Sequence, residues 1–263
     1  MMKWRRIVGF ELENLLCKKI PWVMTAAYTA AALVICLWEE LRQSYFAMME
    51  SVPVMLLNFV APVFLALILI GALAPVFAGD REQNVDQIPA ACLAGRRGRS
   101  AAKVAAAVLF AVLACLFLGG VTFAASCCSG LFDGSMQVRY VGTGLELFPV
   151  WTVRRHFAFS LISLVAASVW SALLILFVSC NAKTTVTAVS VSGMAVILEF
   201  LFHRFSFPVW VREYNLWVFF EPYYFFAMEL FRGTPEGNLL LLWVAFLPWG
   251  MFGVRRMVHC PQE

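Results

Sequence analysis

Six long apolar runs constrain this chain more than any other feature of its sequence. An α-helix rises about 1.5 Å per residue, so about 20 apolar residues are needed to cross the hydrocarbon core of a bilayer. The runs occupy residues 21–38, 52–78, 101–127, 157–180, 184–203 and 238–254. Hydrophobic residues make up 62% of the chain and charged residues only 14%, which leaves too little polar surface to cover a fold in water. The sequence therefore predicts a single all-α integral membrane domain over residues 1–263, with six transmembrane helices.

Positive charges are unevenly divided between the two sides of this predicted topology. With six spans both termini share one side, and that side carries 13 of the 20 Lys and Arg residues. Lys and Arg are enriched in cytoplasmic segments, so we expect a multi-pass protein of the plasma membrane with both termini in the cytoplasm. Residues 1–19 lack the apolar core of a cleaved signal peptide, and the first span is therefore expected to serve as an uncleaved anchor.

The first 19 residues have the pattern of an amphipathic helix. Trp4, Val8, Leu12, Leu15 and Leu16 recur at helical spacing, and basic residues fill much of the remaining surface. A helix of this kind lies in the membrane interface, with its basic residues toward anionic headgroups. The pattern predicts an interfacial helix over residues 1–19, and the alternative is a plain basic tail that flanks the first span.

Residues 79–100, GDREQNVDQIPAACLAGRRGRS, form the largest predicted cytoplasmic loop. Within it QIPAACLA can form a short helix, because Pro89 is tolerated in a first turn and Gly95 suits the exit. Ile88 and Cys92, with Val85, would form a small apolar stripe on that helix. Acidic residues precede the helix and basic residues follow it. This loop is predicted to be the main cytoplasmic contact surface, since the connection Asn181–Lys183 is very short.

The segment 205–236 is aromatic, yet charged residues interrupt it so often that no uncharged stretch of about 18 residues remains. We interpret it as two short helices that break at Glu221–Pro222 and re-enter the outer leaflet before the last span. An extra pair of spans and an aromatic belt without re-entry are the alternatives.

Polar residues within the fifth run point to a further site. Glu199 and His203 lie one turn apart on the same helical face, and ionisable residues inside a membrane are often functional. Glu199 and His203 would contact the transport pathway or brace the re-entrant segment. The alternative is that both lie near the outer interface and meet water or each other. The same run is rich in Thr, Ser, Gly and Ala, which suits close helix packing, either within the bundle or at a dimer or pathway face.

Familiar catalytic and metal-binding patterns are absent from the sequence. It contains no GxxxxGK[ST] phosphate loop and no HExxH motif. Its eight cysteines form no CxxC pair, and its three histidines are far apart in sequence, so neither a zinc site nor a disulfide framework is expected. We expect no catalytic residue, no metal and no cofactor on this chain, and no nucleic-acid partner.

The stretch VFAGDREQNVDQIPAACLAGRRGRSAAKVAAAVLF resembles the membrane subunit of type-2 ABC exporters. In that family an interfacial helix and a long second span are followed by an acidic residue, a short coupling helix, an Arg, and a Lys that opens the third span. These places are taken here by Asp80 or Glu82, residues 86–94, Arg97 or Arg99, and Lys103. The stretch EPYYFFAMEL likewise resembles the family's outer re-entrant segment, so the resemblance covers nearly the whole chain.

The resemblance implies a permease subunit that pairs with a second permease, identical or paralogous, and docks on cytosolic ABC ATPase subunits. ATP and Mg would bind to the ATPase, and the coupling helix would insert into a groove on it. The implied coupling residues are Asp80, Glu82, Asp86, Ile88, Cys92, Arg97, Arg99 and Lys103. A bacterial source is expected, because small separate permeases are commonest there.

Two other classes of membrane protein remain as alternatives. A polytopic membrane enzyme such as an intramembrane protease is one, although Glu39, Glu40 and Arg42 have the wrong spacing for the EExxxR motif of one such family. An ion-coupled carrier is the other, but the two halves of the chain show no convincing repeat, and only Glu199 could be a buried ion ligand.

Overall fold

The computed structural model describes residues 2–38, 52–83, 95–133, 135, 151–204, 219–220 and 234–259. These residues are predominantly helical, as the sequence predicts. The predicted coupling helix with Asp86, Ile88 and Cys92 lies outside the described residues. Most of the predicted re-entrant segment also lies outside them.

The helices of the described residues are named here in chain order. They are α1 (Met2–Leu16), α2 (Lys19–Leu37), α3 (Val52–Met55), a π-helical turn (Leu56–Val60), α4 (Ala61–Leu73), α5 (Pro75–Glu82), α6 (Gly95–Cys128), α7 (Val153–Asn181), α8 (Thr185–Arg204) and α9 (Pro235–His259). Within the described residues, five helical stretches are long and apolar enough to cross a membrane: Lys19–Leu37, Val52–Glu82, Arg97–Cys128, Val153–Asn181 and Pro235–Val258. The predicted fifth span corresponds to α8, which is apolar over the 17 residues Thr185–Leu201.

Two prolines shape the second of these stretches. A proline ring clashes with the carbonyl four residues earlier and donates no backbone hydrogen bond. Before Pro62 the helix widens into the π turn, where the Ala61 N–H bonds to the Leu56 carbonyl. Before Pro75 the helical hydrogen-bond ladder is broken, although Ala74 keeps helical backbone angles (φ −57°, ψ −37°), and α5 continues the helix beyond this break. This stretch is nevertheless the most enclosed of the five, with 67% of its apolar window buried.

Several boundaries differ from those predicted. The third span begins as a helix at Gly95 and not after residue 100, because the alanine-rich sequence that follows favours helix and no proline interrupts it. The last helix runs from Pro235 to His259, longer than the predicted 238–254, and it continues through Pro248. Pro235 at the first helical position costs no hydrogen bond, so residues 235 and 236 belong to the last helix and not to the outer segment.

The N-terminal segment is a helix, as its pattern predicts. Val8 and Leu15 are buried and Leu12 is partly buried against the core, where α1 packs along α6. Trp4 and Leu16 are exposed, so only part of the predicted apolar stripe faces the protein. The helix α1 is therefore attached to the bundle through one face.

The peripheral helices expose large apolar side chains. Only 17% of the apolar window of α9 is buried, and Trp249 and Met251 lie on its surface. On α8, Val191 and Met194 are exposed while Ala188 and Ser192 are buried. Ala188 and Ser192 of α8 thus pack inside this chain, and the other face of the helix is left uncovered by the described residues.

Candidate functional site

A cluster of charged side chains lies at one end of the helix bundle. The end of α1, the helix α5, the start of α6, the end of α7 and the start of α8 meet there. The cluster contains Glu11, Lys18, Asp80, Arg99 and Lys103, and we refer to these five residues as the charged cluster. In the sequence, Asp80 precedes and Lys103 follows the segment 84–94. The contact between them therefore brings together the two described helices that flank this segment.

Lys103 and Asp80 form the centre of the charged cluster. The Lys103 side chain is only 5% exposed, and its Nζ donates hydrogen bonds to the Asp80 carboxylate and, at 2.9 Å, to the carbonyl of Val76. Its ammonium group also lies 5.2 Å from the centre of the Phe77 ring, close enough for a cation–π contact. A buried ammonium group needs partners of this kind, because burial without them is costly. The start of α6 is thereby joined to α5.

Arg99 extends the charged cluster to the N-terminal helix. Its Nε donates to Glu11 Oε1 at 3.2 Å, and one of its terminal nitrogens lies 3.5 Å from Asp80 Oδ2. The N-terminus of a helix favours negative charge, yet α6 starts with several basic residues. Carboxylates supplied by α1 and α5 offset that unfavourable arrangement.

Arg81 and Glu82 connect α5 to the link between α7 and α8. The Arg81 guanidinium donates to the carbonyl of Ala182, at 2.9 Å, and to that of Cys180, which are at the end of α7. The Glu82 carboxylate accepts the backbone N–H of Thr185 at the start of α8, at 3.1 Å. A cation at a helix C-terminus and an anion at a helix N-terminus are both favourable. Two adjacent residues therefore satisfy the ends of two successive helices.

Ser179 of α7 occupies the break before Pro75. Its hydroxyl donates to the Ala74 carbonyl at 2.6 Å and accepts the N–H groups of Phe77 and Ala78 at 3.0 and 3.2 Å. The hydroxyl thus provides an acceptor for the Phe77 N–H and a donor to the Ala74 carbonyl where Pro75 interrupts the helical hydrogen bonds. The geometry of the break is held by α7.

Lys18 lies at the elbow between α1 and α2. Its Nζ donates to the Ala72 carbonyl at 2.5 Å. The pKa of Lys18 is lowered to about 8, mainly by burial and in part by the nearby charge of Lys103, whereas Asp80 and Glu11 act in the opposite direction. Lys18 is therefore an amine whose positive charge its surroundings only partly compensate.

The charged cluster borders a cavity of about 390 Å³. We call it the charged pocket. Its other described lining residues are Asn14, Leu15, Pro75, Val76, Gly79, Gln83 and Thr185. Three basic and two acidic side chains line it, so the described lining carries an excess of one positive charge. The charged pocket can accept a small anion, and its walls belong to helices on both sides of the segment 84–94.

The structure places the sequence-predicted residues unequally. Asp80, Arg99 and Lys103 meet in the charged cluster. Glu82, at the end of α5, is not part of the cluster and accepts a hydrogen bond from the start of α8. Arg97 is exposed one turn before the cluster. Glu199 lies near the far end of α8 and is partly buried. His203 lies in the last turn of α8, where its side chain is outside the described part of the chain.

Sequence reasoning missed four residues of this region: Glu11, Lys18, Arg81 and Ser179. Glu11 is one of two acidic residues in α1, and Ser179 comes directly before the end of a predicted span, but neither position identifies a partner. Their partners are 54 to 105 residues away in sequence. Only the folded chain brings these groups together.

Taken together, the described residues define an all-helical chain with several helices that are suited to a membrane by length and composition. Comparison with known proteins finds no matching family model and no curated sequence relative. The charged cluster and the charged pocket are therefore interpreted from their own geometry.

Proposed function

We propose that this chain is the membrane-spanning permease subunit of an ATP-driven ABC exporter, with ATP hydrolysis on a separate cytosolic ATPase. In this proposal six helices cross the plasma membrane, with α8 as the fifth span, and both termini are cytoplasmic. The segment 79–100 is the docking surface for the ATPase, and a second permease completes the translocation path.

The observation that carries the proposal is the way both ends of the docking segment are attached. A docking segment can transmit force only if its base is rigid. At the start of the segment Asp80 bonds to Lys103, and near its end Arg99 bonds to both Asp80 and Glu11. A displacement of the segment would therefore act directly on α1, α5 and α6.

The contacts of α5 extend this connection to the other helices. Arg81 donates to a carbonyl at the end of α7, and Glu82 accepts an N–H at the start of α8. Ser179 of α7 donates to the Ala74 carbonyl, directly before Pro75. A helix can bend where a proline interrupts its hydrogen-bond ladder. The helix α5 is thus suited to pass a movement of the docking segment to α7 and α8.

The opposite end of the bundle carries a basic pair that departs from the charge distribution expected for the proposed orientation. Arg154 and Arg155 would place a basic pair on the outer side, against the usual distribution. Arg155 is paired with Glu236 at 2.7 Å and lies over the Trp151 ring at 4.2 Å. Part of this outer positive charge is therefore neutralised within the protein.

The experiment is co-purification from the native host. The tagged chain is extracted in mild detergent, and the proteins that accompany it are identified and assayed for Mg-dependent ATP hydrolysis. We expect an ATPase subunit with a phosphate-binding loop. Arg97→Glu should reduce its recovery at least tenfold, because Arg97 is exposed at the base of the docking segment. Ile88→Asp should have the same effect if the apolar stripe enters a groove on the ATPase.

The matched control is Arg154→Glu, which makes the same charge change at an exposed position at the opposite end of the bundle. Arg99→Glu is a poorer test, because it would also break the bonds to Glu11 and Asp80. Transport by the chain without any ATPase, or catalytic turnover by the isolated chain, would contradict the proposal and favour an ion-coupled carrier or a membrane enzyme.

A further inference from the structure

We propose that the charged pocket binds a phosphate group, and that its natural source is the headgroup of an anionic membrane lipid, held mainly by Lys18. This inference does not depend on an ATPase partner. It concerns the isolated chain and its bilayer.

The first argument is the charge balance of the pocket. Arg99 and Lys103 share the two carboxylates, Glu11 and Asp80, at distances of 3.5 Å or less. Lys18 instead donates to the uncharged carbonyl of Ala72. An ammonium group that is partly buried beside two other cations is stabilised by an additional anion. The excess positive charge of the described pocket lining is therefore located at Lys18.

The second argument is the chemistry of the pocket wall. A phosphate group is bound through charge-assisted hydrogen bonds from ammonium, guanidinium and amide donors. Lys18 can supply such a bond, and the side-chain amides of Asn14 and Gln83 are also in the lining. The cavity of about 390 Å³ is large enough for a small headgroup. The wall thus offers the donors and the space that a phosphate ester requires.

The third argument is the position of the pocket at the start of a membrane-length helix. The elbow that carries Lys18 leads directly into Lys19–Leu37, which is long and apolar enough to span a bilayer. Lys19 at this elbow is exposed, and Arg5 and Arg6 are exposed near the other end of α1. Basic pockets at the ends of membrane helices attract anionic lipid headgroups. The phosphate of a membrane lipid is therefore closer to the charged pocket than the phosphate of a soluble molecule.

The fourth argument is an apolar groove on the other helix of the same elbow. The groove has a volume of about 200 Å³, and residues of α2, α4 and α6 line it, including Trp22, Ile68 and Phe110. Leu16, at the end of α1, also borders it, and the Trp22 indole donates to the Leu16 carbonyl at 2.6 Å. An acyl chain has the apolar character that this groove accepts. A phospholipid carries both an acyl chain, which suits the apolar groove, and a phosphate group, which suits the charged pocket.

The test measures lipid binding to the purified full-length chain without an ATPase. Native mass spectrometry in a neutral detergent follows titration with phosphatidylglycerol, with phosphatidylcholine, and with inorganic phosphate in place of lipid. We expect wild-type protein to bind phosphatidylglycerol at least tenfold more tightly than phosphatidylcholine. Lys18→Gln should weaken phosphatidylglycerol binding about tenfold, which corresponds to about 1.4 kcal/mol.

The control is Lys19→Gln, which removes the same charge from the next residue, where the side chain is exposed. It should change binding less than twofold. Gln83→Glu provides a second test that spares Lys18, because it adds a negative charge at an exposed position of the pocket lining and should also weaken binding. Lys18→Arg keeps the charge and should retain binding.

The results separate the possible sources of the anion. Lys18-dependent preference for phosphatidylglycerol supports the proposal. Lys18-dependent binding of inorganic phosphate without a lipid preference overturns the lipid assignment. Equal effects of Lys18→Gln and Lys19→Gln, or no anion binding at all, overturn the whole proposal. None of these results bears on ATPase co-purification, so the two proposals can fail independently.

Discussion

Replacing Ser179 with alanine tests how the break in the second membrane-length stretch is held. The hydroxyl makes three hydrogen bonds to backbone groups at Ala74, Phe77 and Ala78, and Ser179 is fully buried. Each buried hydrogen bond contributes about 0.5–1.5 kcal/mol, and a group left without a partner costs more. In Ser179→Ala the Ala78 N–H and the Ala74 carbonyl can still bond to each other along the helix, which lowers the loss. We therefore expect a decrease of about 2 kcal/mol in the free energy of unfolding.

A matched serine of the same helix provides the control. Ser168 is equally buried, but its hydroxyl donates only to the carbonyl of Val165 in its own helix, at 2.8 Å. That carbonyl can keep its partner within the helix, so Ser168→Ala should change stability by less than about 0.5 kcal/mol. The assay is equilibrium unfolding of the purified variants in a mixture of mild and denaturing detergents. If both variants lose the same stability, Ser179 does not hold the break.

Three further predictions concern the charged cluster, the packing of α9 and the pH dependence. Asp80→Asn leaves the buried Lys103 without its carboxylate, and since Asp80 is partly exposed we expect a loss of about 2 kcal/mol, less than for a fully buried pair. Gly250→Ala places a methyl group 2.4 Å from a tryptophan ring of α7 and should cost about 1–3 kcal/mol, whereas Gly253→Ala meets nothing within 4 Å and should be neutral or stabilising. Because burial lowers the pKa of Lys18 to about 8, the stability of the wild type relative to Lys18→Gln should rise with pH above about 8.

The same unfolding assay measures all three predictions. For the charged cluster the control is Glu236→Gln, since Glu236 pairs with Arg155 at an exposed position and such pairs contribute at most about 1 kcal/mol. An equal effect of Asp80→Asn and Glu236→Gln would contradict the role given to Asp80. If Gly250→Ala and Gly253→Ala have the same free energy of unfolding, α9 does not approach the Trp170 ring closely.

The sign of the pH dependence follows from proton binding. Above pH 8 the folded protein releases the Lys18 proton while the unfolded chain still holds it, up to its usual pKa of 10.5. Stability must then increase as pH rises through this range. The titration is performed in neutral detergent without phosphate or anionic lipid, because a bound anion would keep Lys18 charged. A constant or falling difference between wild type and Lys18→Gln above pH 8 would refute the assignment.

The sequence by itself determined the apolar helices. A membrane-length helix satisfies its own backbone hydrogen bonds, so its existence depends only on local composition and length. The runs 52–78, 101–127 and 157–180 therefore appear as helical stretches close to their predicted positions. The bounds shifted where a charged flank continued as helix, as at Gly95, because apolar length alone does not identify the end of a helix.

Only the tertiary structure decided which charges meet. Asp80 and Lys103 are 23 residues apart and Arg99 and Glu11 are 88 apart, so no local pattern links them. Pro75 removes a backbone hydrogen bond from the second stretch, but the side chain that compensates there, Ser179, is on another helix. The charged pocket likewise depends on four helix ends meeting in space. Hydrophobic length is a local property of the chain, whereas charge compensation depends on distance in the folded protein.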